Sequence, residues 1–213
     1  MISSASIRWP FYSLELSRVI ECNPLKVSLS AIVSLCDMST IGANMTEKTL
    51  RQLSHQVGEA LGQLGSTLTT AESCTGGWIA KVITDVSGSS AWYERGFVTY
   101  SNEAKHQMIG VDSGTLETHG AVSEAVVREM AQGALYAASA DYAIAVSGIA
   151  GPNGGSAEKP VGTVWFGFSS KLEGTVARHQ LFDGDRDAVR RQATEYALQT
   201  LWEEFLKNKL DTV

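Results

Sequence analysis

The sequence predicts an α/β fold, a three-layer α/β/α sandwich around a mixed sheet. Three observations predict it. Short β-branched or apolar runs alternate with stretches whose apolar residues recur every three or four positions. The run Tyr142 to Val146 is almost wholly apolar, as a strand buried on both faces must be. Two late strands, Val161 to Ser169 and Thr175 to Phe182, are joined across Lys171 to Gly174, a connection so short that they must be antiparallel. With 213 residues, and roughly 100–200 per domain, the chain suits one such domain, or one domain plus an appendage.

Element by element, Thr46 can cap a first helix in which Leu50, Leu53, Val57, Leu61 and Leu64 share a face before Gly65 stops it. Thr67 to Ala71 is β-branched and reads as a strand running into Glu72-Ser73-Cys74-Thr75-Gly76-Gly77. A second helix places Trp78, Ile79, Val82, Ile83 and Val86 on one side and ends at Gly88-Ser89-Ser90. Phe97 to Tyr100 is a short strand, and Ser101 opens a short helix to Ile109. Ser123 caps a helix with Val126, Val127, Met130, Ala134, Leu135 and Ala138 inward. After the Tyr142 strand comes a loop, Ser147 to Ser156, with four glycines and a proline. The hairpin follows, then a long helix from about Arg186 with Val189, Ala193, Tyr196, Ala197, Leu201 and Phe205 facing in.

The first 44 residues are of another kind. Arg8, Arg18 and Lys26 balance Glu15, Glu21 and Asp37, and two of the three cysteines and two of the four prolines fall here. Leu25 to Cys36 competes for the role of a signal-peptide core, which needs an apolar run of about 7–15 residues. Lys26, Ser28, Ser30 and Ser34 break it, and Leu35 stands where a lipoprotein site needs a small residue. The expectation is an upstream extension over 1–44 without stable structure, translation naturally starting at Met45, and one domain over 45–213.

Composition excludes several classes of function. The chain has 17 basic and 23 acidic residues, a net charge of −6, so its mean field repels nucleic-acid backbones and anionic membranes. Cys22, Cys36 and Cys74 form no even framework and no metal spacing, which suits a cytoplasmic location. His55, His106, His119 and His179 stand apart from carboxylates, leaving no source for a zinc site or a Ser-His-Asp triad. Asp183, Asp185 and Asp187 approach a divalent-ion loop, though acidic residues before a helix are also expected from its dipole. No metal and no cofactor are expected. The apolar helices around Trp78 and Trp202 leave room for a homo-oligomer, and core burial explains them equally well.

Ligands of open α/β sheets bind beyond the carboxyl ends of the strands, and three loops fall there. Glu72 to Gly77 sets two hydroxyls and a thiol beside a Gly-Gly pair whose backbone N–H groups can approach a phosphate or an oxyanion. The alternative is that Ser73 or Thr75 merely caps the helix while Cys74 packs. The same helix start can lower the Cys74 pKa. In the second loop Tyr100 and Lys105 can reach the same crevice, a lysine acting as a base if burial lowers its pKa; the alternative is an edge tyrosine and a solvated lysine. The third, Ser147 to Ser156, can wrap a ribose or a ring, or simply connect. Arg186 and Arg190 are the candidates for phosphate, since a guanidinium matches its geometry.

The same loops carry a resemblance. Thr70 to Gly77, Gly96 to Lys105, Gly120 to Ser123, Ser147 to Gly155, Lys159 to Val164 and Gly184-Asp185-Arg186 look like the successive signatures of the CinA carboxy-terminal domain family. The likeness is greatest to its stand-alone bacterial members, the nicotinamide-nucleotide amidohydrolases, and it covers about Met45 to Lys207. It implies that family's fold and hydrolysis of the carboxamide of nicotinamide mononucleotide to nicotinate mononucleotide and ammonia, a step of pyridine-nucleotide salvage. A noncatalytic nucleotide-binding or stress-associated module is the alternative that the family allows. With the resemblance, Ser73 becomes the expected nucleophile, and Tyr100 with Lys105 the pair that accepts and returns its proton. Thr75, Gly76 and Gly77 would donate backbone N–H groups. Asn102 and the loop residues Ser147, Gly148, Gly151, Gly154 and Gly155 would contact the nucleotide, and Arg186 its 5′-phosphate.

Overall fold

β3 (Tyr142–Gly148) occupies the centre of the sheet, and six of its seven residues are buried, as its apolar sequence requires. It pairs in parallel with β1 (Leu68–Glu72), which in turn pairs in parallel with the two-residue β2 (Phe97–Val98). Its other edge pairs antiparallel with β4 (Thr163–Ser170), and β4 pairs antiparallel with β5 (Gly174–Leu181). The result is the expected mixed sheet, five strands in the order β2-β1-β3-β4-β5. The computed structural model describes residues 49–210, and the expected extension over 1–44 lies outside the described residues.

Side chains alternate between two cores, one on each face of the sheet. Ile144, Val146, Phe166 and Phe168 pack with α1 (49–64), α2 (Trp78–Thr84) and α6 (Arg186–Thr200). Ala143 and Ala145 face α3 (Asn102–Ile109), α4 (Ser113–His119) and α5 (Glu124–Ala138). Small residues on this second face let α5 come close. A Cβ added at Gly167 of β4 would stand 2.1 Å from the Val127 carbonyl oxygen, and one at Gly133 of α5 would stand 1.7 Å from the Ile109 carbonyl oxygen. Three layers follow, with α3 locked against α5.

β1 is buried along its whole length although three of its five residues are polar. Its polar groups are satisfied internally, as buried ones must be. Thr69 Oγ1 donates to the Arg95 carbonyl at 2.9 Å, and Thr70 Oγ1 lies 2.6 Å from the Tyr93 hydroxyl. Ser101, Asp112, Ser123 and Asp185 cap α3, α4, α5 and α6, each accepting from a backbone N–H in the first turn; such a cap contributes about 1 kcal/mol. Helix α4 is absent from the sequence reading because Ser113–His119 buries only Leu116 and has no apolar period. The second strand ends at Val98 rather than Tyr100, although the Thr99 N–H still donates to the Glu72 carbonyl at 2.8 Å. Beyond Thr200 the last helix loosens into a π-helical Leu201–Leu206 and then α7 (Lys207–Leu210). No helix among the described residues is long and apolar enough to cross a membrane.

Candidate active site

β1 and β3 lie side by side, and their successors leave in opposite directions, β2 to one side and β4 to the other. A crevice at the carboxyl ends of the strands is expected where the order reverses in this way. Ser73 follows β1 directly, half-buried, and its N–H donates to the Val146 carbonyl of β3 at 2.9 Å. Lys105 reaches it from α3. Its side chain is 1% exposed, and its Nζ donates to the Thr99 carbonyl at 2.8 Å and to Ser73 Oγ at 3.1 Å. No carboxylate pairs with Lys105 among the described residues. Burial therefore dominates and lowers its pKa below the ordinary 10.5, while the nearby Cys74 works weakly in the opposite direction. The sequence left open whether Lys105 is a solvated helix lysine, and the structure shows that it is not.

Glu72 has no role in the sequence reading, yet it organises the loop. Its fully buried carboxylate accepts from the N–H groups of Gly77 at 2.9 Å, Ile79 at 3.1 Å and Ala80 at 2.8 Å. It thus replaces an N-cap side chain for α2, whose capping position, Gly77, has a positive φ and nothing to offer. An acidic residue ahead of a helix was the available signal. Arg190 of α6 holds the same loop from outside: Nε donates to the Cys74 carbonyl at 3.1 Å and Nη2 to the Thr75 carbonyl at 2.8 Å. Its guanidinium also lies 5.1 Å from the centre of the Trp78 ring, within cation–π range.

Several expected roles change. Tyr100 does not pair with Lys105; the residue is 60% exposed, and its hydroxyl accepts from Arg186 Nη2 at 2.8 Å. Arg186 Nη1 donates to the Gly151 carbonyl at 2.9 Å, so this arginine ties the Tyr100 and Gly151 loops together. The Gly76 N–H donates to the Ser73 carbonyl at 3.0 Å and the Gly77 N–H to Glu72, so neither is free to receive an oxyanion or a phosphate. The Cys74 and Thr75 N–H groups instead lie beside the Cys74 sulfur. Cys74 is not activated by the helix start, because burial pushes its thiol up to about 12. Thr75 and Thr99 are fully buried, and their hydroxyls have no partner among the described residues.

The third loop is more architectural than expected. Ser147 is buried and its hydroxyl donates to the Ala121 carbonyl at 2.7 Å, not to an open crevice. Gly148 leaves no room for a Cβ beside Val164 and Thr163, and Gly151 and Gly155 leave none beside Val161. Gly154 has a positive φ and is exposed. Asn102, exposed at the start of α3, borders a shallow hollow with His106 and Glu117. Asp185 caps α6, and among the described residues no three His, Cys, Asp or Glu side chains gather where they could hold a metal ion.

A buried lysine without a carboxylate, aimed at an accessible serine at the carboxyl ends of parallel strands, is the equipment of a hydrolytic enzyme with a hydroxyl nucleophile. The chain belongs to the CinA C-terminal domain family, whose model matches residues 50–205. It is 70% identical over 164 residues to the nicotinamide-nucleotide amidohydrolase PncC of Escherichia coli K12, covering 77% of this chain and 99% of that one. The protein of the same name from Enterobacter agglomerans is 62% identical over 164 residues, covering 77% and 100%. Among solved structures, the competence damage-inducible protein A of Klebsiella pneumoniae superposes with a TM-score of 0.70 at 45% identity, over 73% of this chain and 96% of that one.

Proposed function

We propose that this chain hydrolyses the carboxamide of nicotinamide mononucleotide, releasing ammonia and nicotinate mononucleotide for pyridine-nucleotide salvage. The observation that carries the reading is the Lys105 Nζ to Ser73 Oγ contact of 3.1 Å, made by a lysine whose burial favours its neutral form. The high identity to amidohydrolases over nearly their whole length supports the substrate.

In the first half-reaction neutral Lys105 accepts the Ser73 proton as Oγ attacks the carboxamide carbon, giving a tetrahedral oxyanion. The N–H of Thr75 lies beside the Cys74 sulfur and, among the described residues, has no carbonyl acceptor, so it is the loop's candidate donor to that oxygen by exchanging the weak sulfur acceptor for the oxyanion; one such donor typically lowers the barrier by about 2.7–4 kcal/mol. Lys105 then returns the proton to the amide nitrogen, the C–N bond breaks, and ammonia leaves an ester on Ser73. Water attacks this ester, Lys105 takes its proton, and the C–O bond breaks as Lys105 returns that proton to Ser73 Oγ, giving nicotinate mononucleotide and restoring both the serine hydroxyl and the neutral amine. Arg186 and Tyr100, joined at 2.8 Å, form the exposed polar rim suited to the nucleotide's phosphate.

We further read 45–213 as the working domain, a cytoplasmic one, supported by the extent of the family match and by the absence of a disulfide framework in the sequence. The deciding experiment is ammonia release from nicotinamide mononucleotide by the full chain and its Ser73→Ala variant. The variant should be inactive with an unchanged circular dichroism spectrum. Near-normal turnover would remove Ser73 from the role of nucleophile, and release of nicotinamide or phosphate instead of ammonia would overturn the reaction.

A further inference from the structure

Behind the Ser73 loop, on the α1–α2–α6 side, lies a cavity of about 490 Å³. Ser73, Lys105, Tyr100 and Arg186 do not line it. Its walls bring together Arg51 of α1, Lys81 of α2, and Arg190 and Arg191 of α6, with Asp85 the one carboxylate among them. Lys81 and Asp85 pair with each other at 2.7 Å. The side chains of Arg51 and Arg191 have neither an ion pair nor a hydrogen bond among the described residues. With Lys81 answered by Asp85, the hollow is left with the charges of Arg51, Arg190 and Arg191 in a chain whose net charge is −6, and an anion in the hollow would offset their mutual repulsion. The volume falls within the range of small-molecule sites and exceeds what a single phosphate fills, and the partly exposed indole of Trp78 supplies an aromatic wall.

We propose that this cavity is a second site, which binds a nucleoside di- or triphosphate and tunes the reaction at Ser73. Guanidiniums match phosphate oxygens in pairs, and a chain of two or three phosphates can meet Arg51 and Arg191 together. Arg190 links the site to the chemistry. Its guanidinium forms part of this wall and simultaneously holds the Cys74 and Thr75 carbonyls, one and two residues beyond Ser73. An anion beside Arg190 competes for its N–H groups and loosens or shifts the loop that carries the serine. The proposal rests on the amidohydrolase reading only for its kinetic readout; binding is measured without turnover.

The test uses the full chain at low ionic strength, with ATP as probe and pyrophosphate and orthophosphate as comparisons. Binding is followed by calorimetry in the absence of nicotinamide mononucleotide, and ammonia release is followed at saturating substrate. ATP should bind saturably, pyrophosphate more weakly, and orthophosphate weakest, with affinity falling as salt rises. ATP should also change kcat, an effect that excess substrate does not remove. The Arg51→Ala/Arg191→Ala double variant should keep its basal turnover and lose ATP affinity by about tenfold or more. Equal ATP binding by the double variant, no saturable binding by the wild type, or an ATP effect confined to KM would each overturn the proposal. The last would make the cavity part of the substrate's own site, while absent ammonia release together with intact ATP binding would count against the amidohydrolase reading alone.

Discussion

Lys105 Nζ donates to Ser73 Oγ at 3.1 Å from a position where the lysine is 1% exposed and faces no carboxylate among the described residues. The contact makes the protonation state of Lys105 the switch of the reaction, since only the neutral amine can take the serine proton. Its pKa lies below 10.5 through burial, so kcat/KM should rise with pH with a midpoint below that value. Lys105→Arg, which cannot deprotonate, should lose activity by at least about 100-fold, in the range expected of a general base. A pH profile that stays flat while Lys105→Arg remains active would disprove the assignment.

The same burial couples Lys105 to stability. Between its lowered folded pKa and the ordinary 10.5, the unfolded chain binds more protons than the folded one, so stability grows as pH rises through that window and falls as pH drops to the folded pKa. Lys105→Met carries no titrating group and should lack this component. Urea unfolding midpoints of both proteins across the alkaline range give the difference directly, and parallel curves would show that the buried amine has no linkage to folding.

Cys74 adjoins the nucleophile but should be inert. With its thiol raised to about 12 from an ordinary 9.0, at pH 8 it is about one ten-thousandth thiolate where an ordinary thiol is about one tenth. Native protein treated with iodoacetamide at pH 8 should show no adduct on the Cys74 peptide, while the urea-unfolded chain reacts. Rapid labelling of Cys74 in the native state would contradict the burial. Because the folded state retains this proton after the unfolded state has lost it, the thiol's contribution is fully present below pH 9 and declines as pH rises toward 12.

Glu72 should act as a positioning residue, through its grip on the Gly77, Ile79 and Ala80 N–H groups. Glu72→Gln keeps the shape but sets an amide N–H₂ against one of these donors, leaving buried donors facing each other. Such a conflict costs about 1–3 kcal/mol. Stability should fall by that amount, and kcat should fall more than KM changes, because the serine loop and not the nucleotide rim is displaced. An unchanged kcat in a destabilised but folded variant would assign Glu72 to the fold alone.

What was legible in the sequence and what was not divides along physical lines. Periodicity exposed the elements with a long apolar face, such as α5, and the short hairpin connection fixed β4 and β5 as antiparallel. Helix α4 was invisible because Leu116 alone anchors it. In the site, Ser73 and Lys105 were legible as residue types at a strand end and a helix start. Which polar groups are already engaged within the fold was not. The hydroxyl of Ser147 and the phenol of Tyr100 each have a partner remote in sequence, at Ala121 and Arg186, and no local pattern encodes such partners.

Two glycines in helices separate packing from propensity. A glycine in an exposed helix interior costs about 1 kcal/mol relative to alanine, so Gly62 of α1, with nothing within 4 Å of an added Cβ, should gain roughly that much stability on conversion to alanine. The same gain is available to Gly133 of α5, but there the added methyl would stand 1.7 Å from the Ile109 carbonyl oxygen. That atom is backbone and cannot rotate away. Overpacking typically costs about 1–3 kcal/mol and here outweighs the propensity gain. Because Ile109 closes the helix that carries Lys105, moving it also moves the base. Gly133→Ala should therefore lower both the urea midpoint and kcat, whereas Gly62→Ala raises the midpoint and leaves kcat unchanged. If both variants were equally stabilised, the close approach of α5 to α3 would not exist in solution.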